Sequence, residues 1–169
     1  AGMLKSDPVI FLPSDHNISK TDAFASLVTE AMHKVADNIG TIGITPTFPE
    51  TGYGYIKKGK KNNSRYQVLE FKEKPDRATA EKYLANGEYV WNSGMYIFNE
   101  KTFSEELSKY APEIYAAYSK NYDELVANFK NLPSISIDFA ISEKSDRVIV
   151  FEGDFGWSDI GSFDALAEI

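Results

Sequence analysis

VIFLPSDHNISKTDAFASLVTEAMHKVADNIGTIGIT, residues 9–45, reads as strand, polar loop, helix, strand. Val9 to Leu12 is a continuous apolar run stopped by Pro13. That fits a strand buried on both faces, as parallel sheets require. Ser14, Asp15 and His16 follow at its C-terminal end. From Thr21 to Val35 the apolar residues Phe24, Leu27, Val28, Ala31, Met32 and Val35 recur at three and four. The spacing predicts an amphipathic helix, with Thr21 as its N-cap. Thr41 to Thr45 predicts the second strand.

The alternation continues along the chain. Pro46 to Gly54 is a loop punctuated by proline and glycine. Tyr55-Ile56 and Tyr66 to Phe71 are extended, with the lysine-rich segment Lys57 to Arg65 expected as the turn between them. Asp76 to Leu84 is a short helix. Tyr89 to Phe98 is a strand interrupted at Asn92-Ser93-Gly94, where a bulge or close backbone approach is expected. Lys101 to Tyr110 and Pro112 to Phe129 are helical, the second with proline in its first turn. Ser136 to Ser142 adds a short helix, Arg147 to Phe151 a strand, and Gly161 to Glu168 a last helix. Strands alternating with helices imply an α/β sandwich with a mainly parallel sheet, whose ligands gather at strand ends. One domain over residues 1–169 is expected, because 169 residues with 43% hydrophobic content bury one sizeable core.

Composition removes several functions. A net charge of -7 and a pI near 4.9 argue against a general binder of nucleic acid or anionic membrane, which needs a cationic surface. Any phosphate must be met locally. With no cysteine, disulfides, zinc-thiolate sites and thiol nucleophiles are excluded. The apolar run at 9–12 is far below the roughly 20 residues that span a bilayer, and the start lacks a signal-peptide pattern. A cytoplasmic protein is the simplest expectation.

Five polar or glycine-rich stretches fall at strand ends or loops: PSDHNI at 13–18, PETGYGYI at 49–56, FKEKP at 71–75, WNSGMY at 91–96 and GWSDIGS at 156–162. Asp15 suits magnesium, which one or two carboxylates commonly hold together with phosphates and water. It suits equally a turn or helix cap. Asp159 poses the same choice beside Trp157 in a glycine-flanked turn. Glu73-Lys74-Pro75 offers a mobile point charge for a phosphate and an acceptor for hydroxyls, or an ordinary exposed pair. Asn92 offers an amide that donates and accepts, beside a glycine that permits close approach, or a plain bulge. His16 and His33 carry little weight as bases, and Tyr53, Tyr55 and Trp91 read as core or rim aromatics.

Taken together, in this order and at these intervals, the stretches resemble the mannose-1-phosphate guanylyltransferase family of sugar-nucleotide pyrophosphorylases. PETGYGYI, EKPD at 73–76, WNSGMY, SIDFAISEK at 136–144 and WSDIGS span almost the whole chain. The resemblance implies a Rossmann-like nucleotidyltransferase sandwich. It implies transfer of a guanylyl group from GTP to mannose 1-phosphate, giving GDP-mannose and pyrophosphate, with Mg²⁺ as cofactor. Asp15 and Asp159 match the family's metal-binding aspartates, and Lys74 the lysine on the sugar phosphate. Gly52, Glu73 and Asn92 match sugar-contacting positions. Asp138 and Lys144 fall within matched motifs but receive no contact.

The family's glycine-rich loop, GGxGTRLxPLS, has no counterpart before Val9. The chain is therefore expected to be an N-terminally truncated catalytic domain, inactive by itself, with an exposed edge that favours a homo-oligomer. Other sugar or nucleotide specificities (glucose 1-phosphate with UTP or dTTP) and a non-catalytic regulatory subunit are the alternative readings.

Overall fold

The structure, a computed structural model, describes residues 7–160. The helix expected over Gly161 to Glu168 lies outside them. The first strand, β1 (Pro8–Phe11), leads through the loop at 12–16 to the two-residue β2 (Asn17–Ile18) and then α1 (Thr21–Lys34). Helix α1 begins one position earlier than expected. Lys20 is its cap, without a side-chain hydrogen bond, and Thr21 is already helical. The start is fixed from outside instead. Ser19 N–H donates to Gly156 O at 3.1 Å and Lys20 N–H to Phe155 O at 3.0 Å.

The strands β3 (Ile39–Ile44), β4 (Gly54–Asn62), β5 (Arg65–Lys72), β6 (Tyr89–Asn99) and β7 (Val148–Glu152) complete one sheet with β1, in the order β1-β6-β3-β7-β5-β4, and β4 also pairs β6. The pairings β6-β3-β7-β5-β4-β6 therefore close a circuit. Ile56, Phe71, Val90 and Val150, one from each of β4 to β7, pack together within it. Gly43 lets this happen, since a Cβ there would lie 2.6 Å from Val90 Cγ2 and 2.7 Å from Val150 Cγ2.

The α/β sandwich is as expected, but its sheet is mixed. Only β3 and β7 run parallel among the described pairs, and the other partners are antiparallel. One cause is local: the turn between β4 and β5 is only Asn63-Ser64, which forces a hairpin. Strand β1 lies at the edge of the described sheet, and Phe11 and the following Leu12 are 58% and 49% exposed rather than buried on both faces. The lysine-rich segment expected as a turn is strand. Lys57 pairs with Glu70 and Lys61 with Tyr66 across the hairpin, and Lys58 and Lys61 ammonium groups lie over the Tyr66 ring.

Alternation along β6 sends Met95 and Ile97 to one face and Tyr96 and Phe98 to the other. The first pair packs with Ala31 and Val35 at α1, the second with Leu107, Ala140 and Ile141. The latter three come from α3 (Glu100–Tyr110) and a π-helical turn, Asp138–Ser142. Helix α2 (Arg77–Asn86) is capped by the Asp76 carboxylate, which accepts from Thr79 N–H. The expected helix over 112–129 is divided into α4 (Pro112–Tyr118), α5 (Tyr122–Asn128) and a 3-10 turn, because the Asn121 side chain accepts from Glu124 N–H and starts α5 anew. The short β8 (Trp157–Ser158) pairs β2. No described helix is long and apolar enough to cross a membrane.

Candidate functional site

The polar stretches converge on one cleft of about 160 Å3, lined by Gly52, Glu73, Lys74, Asn92 and Asp159 together with His16, Tyr53, Gly54, Ser93, Gly94, Asp138 and Trp157. Its floor is the middle of β6, where β3 and β4 flank Asn92: Gly43 and Gly54 are both its partners in register. Opposite the β3 side, a register shift between Thr41 and Gly43 produces the irregularity expected at Asn92-Ser93-Gly94, with Gly94 at φ 73°. A left-handed residue there suits glycine.

Glu73 and Lys74 follow β5. Glu73 N–H donates to Glu143 Oε1 at 2.9 Å, and Lys74 N–H to Tyr53 O at 3.2 Å. These bonds hold Lys74 at φ 44°, a conformation that costs a non-glycine residue about 1–2 kcal/mol. The Lys74 ammonium lies 3.8 Å from Glu73 Oε1 and remains 62% exposed. Glu73 is the reverse, with its side chain only 11% exposed. It packs so closely on Gly54 that a Cβ there would lie 2.6 Å from Glu73 Oε2. Burial, then the negative charge of Asp138, push the Glu73 carboxyl up to about 7, with Lys74 opposing and Glu143 adding a smaller rise. Gly52 sits in the preceding loop, where the Glu50 carboxylate takes Thr51 N–H at 2.8 Å and Gly52 N–H at 2.7 Å.

The far wall is the β2–β8 ribbon, which pairs Asn17 with Ser158 and Ile18 with Trp157. It brings the Asp15-His16 loop beside Asp159. Trp157 Nε1 donates to His16 Nδ1 at 3.0 Å, so His16 carries its proton on Nε2. Burial lowers the His16 pKa, against the raising influence of Asp15 and Asp159. Asp15 itself is exposed and outside the cleft lining. Asp159 Oδ1 accepts from the Tyr53 hydroxyl at 2.7 Å. Burial and that bond raise the Tyr53 phenol.

Sequence reasoning gave no role to Asp138, Tyr96 or Thr41, and read Tyr53 only as a core or rim aromatic. Thr41 carried a legible signal, a lone hydroxyl in an apolar strand, and it is fully buried with its hydroxyl donating to Asn92 Oδ1 at 2.6 Å. Among the described residues no group of three or more His, Asp or Glu side chains is placed to hold a metal ion. Lys144 lies outside the cleft lining.

A family model described as nucleotidyl transferase matches residues 2–169. The chain belongs to this family. Within it, the chain is 39% identical to mannose-1-phosphate guanylyltransferase of Escherichia coli, over 98% of this chain and 38% of that protein. It is 43% identical to xanthan biosynthesis protein XanB of Xanthomonas campestris, over 96% of this chain and 37% of that protein. Among solved structures, it resembles mannose-1-phosphate geranyltransferase from Thermus thermophilus with a TM-score of 0.87 and 33% identity, over 96% of this chain and 49% of the other. UDP-glucose pyrophosphorylase in complex with UDP-glucose shares the fold, with a TM-score of 0.59 and 17% identity, over 96% of this chain and 54% of the other. The chain thus spans under two-fifths of the length of the curated relatives it matches.

Proposed function

We propose that the chain carries the sugar-phosphate half-site of a mannose-1-phosphate guanylyltransferase, which transfers a guanylyl group from GTP to mannose 1-phosphate and releases pyrophosphate. The observation that carries this reading is the meeting of Gly52, Glu73, Lys74, Asn92 and Asp159 in one cleft. The name of the Escherichia coli relative supplies the sugar phosphate and the guanylyl group.

The reaction needs no protein nucleophile. An oxygen of the sugar phosphate attacks the α-phosphorus in line, so the protein has to align two polyanions and offset their charge. Lys74 is an exposed point charge over the cleft, suited to the sugar phosphate. Glu73 lines the part of the cleft that takes the ring hydroxyls, with Asn92 behind it, and Gly52 brings no side chain into it.

Magnesium fits the donors present. Asp15 and Asp159 both act electrostatically on His16 and offer hard oxygens, and Mg²⁺ commonly takes one or two carboxylates and completes its shell with phosphates and water. When bound, the ion neutralises phosphate charge at the reacting centre. Cytoplasmic residence and a homo-oligomer belong to the same reading.

The test is calorimetric titration of the chain with mannose 1-phosphate, with and without Mg²⁺, with glucose 1-phosphate as control. Mannose-selective binding, strengthened by Mg²⁺ and weakened roughly tenfold in Lys74→Ala, is the expected result. A folded chain that binds neither sugar phosphate rejects the half-site.

A further inference from the structure

The hydrogen bonds behind the cleft separate a side chain whose polar atoms are all engaged by the chain from one whose polar atoms are not. A carboxamide donates two hydrogen bonds and accepts two, and the chain itself uses all four at Asn92. Nδ2 donates to Asp138 Oδ1 at 3.0 Å and to the Tyr96 hydroxyl at 3.4 Å. Oδ1 accepts from the Thr41 hydroxyl at 2.6 Å and from Gly94 N–H at 3.3 Å. Asn92 is 7% exposed.

Asp138 is arranged in the opposite way. Its Oδ1 takes both Asn92 and the Tyr96 hydroxyl, the latter at 2.6 Å. No described residue hydrogen-bonds its Oδ2, and Asp138 lines the cleft. Tyr96 is 4% exposed. With its one proton given to Asp138, its oxygen accepts from Asn92 and Ser142, the latter at 3.1 Å. Two buried donors on one oxygen fix the carboxylate and present the other oxygen, as an acceptor only.

Resting on the reading that the cleft takes mannose 1-phosphate, we propose that Asp138 accepts a hydrogen bond from a sugar hydroxyl, and that Asn92, Tyr96 and Thr41 are positioning residues that hold it. A site built to pair one hydroxyl discriminates strongly against a sugar lacking it, because a buried acceptor is then left unpaired.

The experiment titrates the chain with mannose 1-phosphate and with its monodeoxy analogues, comparing the native sequence with Asp138→Asn and Tyr96→Phe. Circular dichroism and thermal unfolding establish that each variant is folded. Asp138→Asn keeps an oxygen for Asn92 and Tyr96 and puts an amide NH2, a donor only, in place of the second oxygen. The native chain is expected to bind one analogue about 10- to 100-fold more weakly than the parent sugar. Asp138→Asn is expected to lose that factor on the parent sugar and to stop distinguishing that analogue, and Tyr96→Phe to lose less, on the same analogue. Undiminished discrimination in Asp138→Asn, including a uniform loss across all the sugars, overturns the assignment while leaving the half-site standing. A folded native chain that binds no mannose 1-phosphate overturns both.

Discussion

Glu73 is where the fold and the cleft meet in one side chain. Its carboxyl ordinarily ionises near 4.5, and in the fold it is pushed up to about 7. The native state therefore holds the proton more tightly than the unfolded chain. The associated stabilisation is fully present below about 4.5 and is lost as pH rises through about 7. Glu73→Gln, which keeps the neutral form, is expected to match the native chain in stability at about pH 5 and to exceed it by about 1–3 kcal/mol at about pH 8. Urea unfolding at the two pH values checks this, and the same difference at both would show that Glu73 ionises normally. Glu73 and Lys74 were legible in the sequence because EKP places both beside a strand end. Asp138 was not legible as a partner of Asn92. That role depends on a hydrogen bond across 46 positions, which no local pattern encodes.

Helix α3 and the residue that precedes strand β7, Arg147, are joined by an ion pair whose two sides are unequally buried. Glu106 is 3% exposed, and its carboxylate accepts from Ser145 Oγ at 2.5 Å and Arg147 Nη1 at 3.4 Å. Arg147 also reaches Glu105 at 2.7 Å and Asp37 O at 2.8 Å, binding α3 to the entry of β3. Removing the guanidinium leaves a buried charge with one neutral partner. Arg147→Met is expected to cost about 2–3 kcal/mol, and Arg147→Met with Glu106→Leu to recover most of it. Thermal unfolding of the single and double variants decides, and an additive further loss in the double variant would contradict the pairing. Elements with strong period or clear punctuation, such as α1, β6 and the helix after Pro75, were readable nearly to the residue. The β4–β5 hairpin was not, since its lysines look like a loop until their cross-strand partners are known. The pause between α4 and α5 was missed for a related reason, because Asn121 acts there as a cap and looks elsewhere like any polar residue.

At the scale of the molecule, the layered α/β plan was legible because strands and helices alternate, whereas strand direction was not. Direction follows from which elements become neighbours, and β6 joins β1, β3 and β4 antiparallel at separations that a linear pattern leaves open. The gathering of the cleft was legible only as five stretches in order. Of the protein's two tryptophans, Trp157 lines that cleft and Trp91 is buried in the core behind it; both meet Tyr53 edge-on, Trp91 at 5.2 Å and Trp157 at 5.3 Å between ring centroids. The Tyr53 hydroxyl in turn ends on Asp159. Both indoles therefore touch a ring that lines the site, and the protein is expected to report on its own ligands without a dye. Magnesium or mannose 1-phosphate arriving at Asp159 is expected to move Tyr53 and give a saturable change in emission, half-complete at the calorimetric Kd. A spectrum unmoved at calorimetric saturation would show that the ligand settles away from the Tyr53–Asp159 pair. A light source and a cuvette then suffice to follow occupancy on the timescale of mixing.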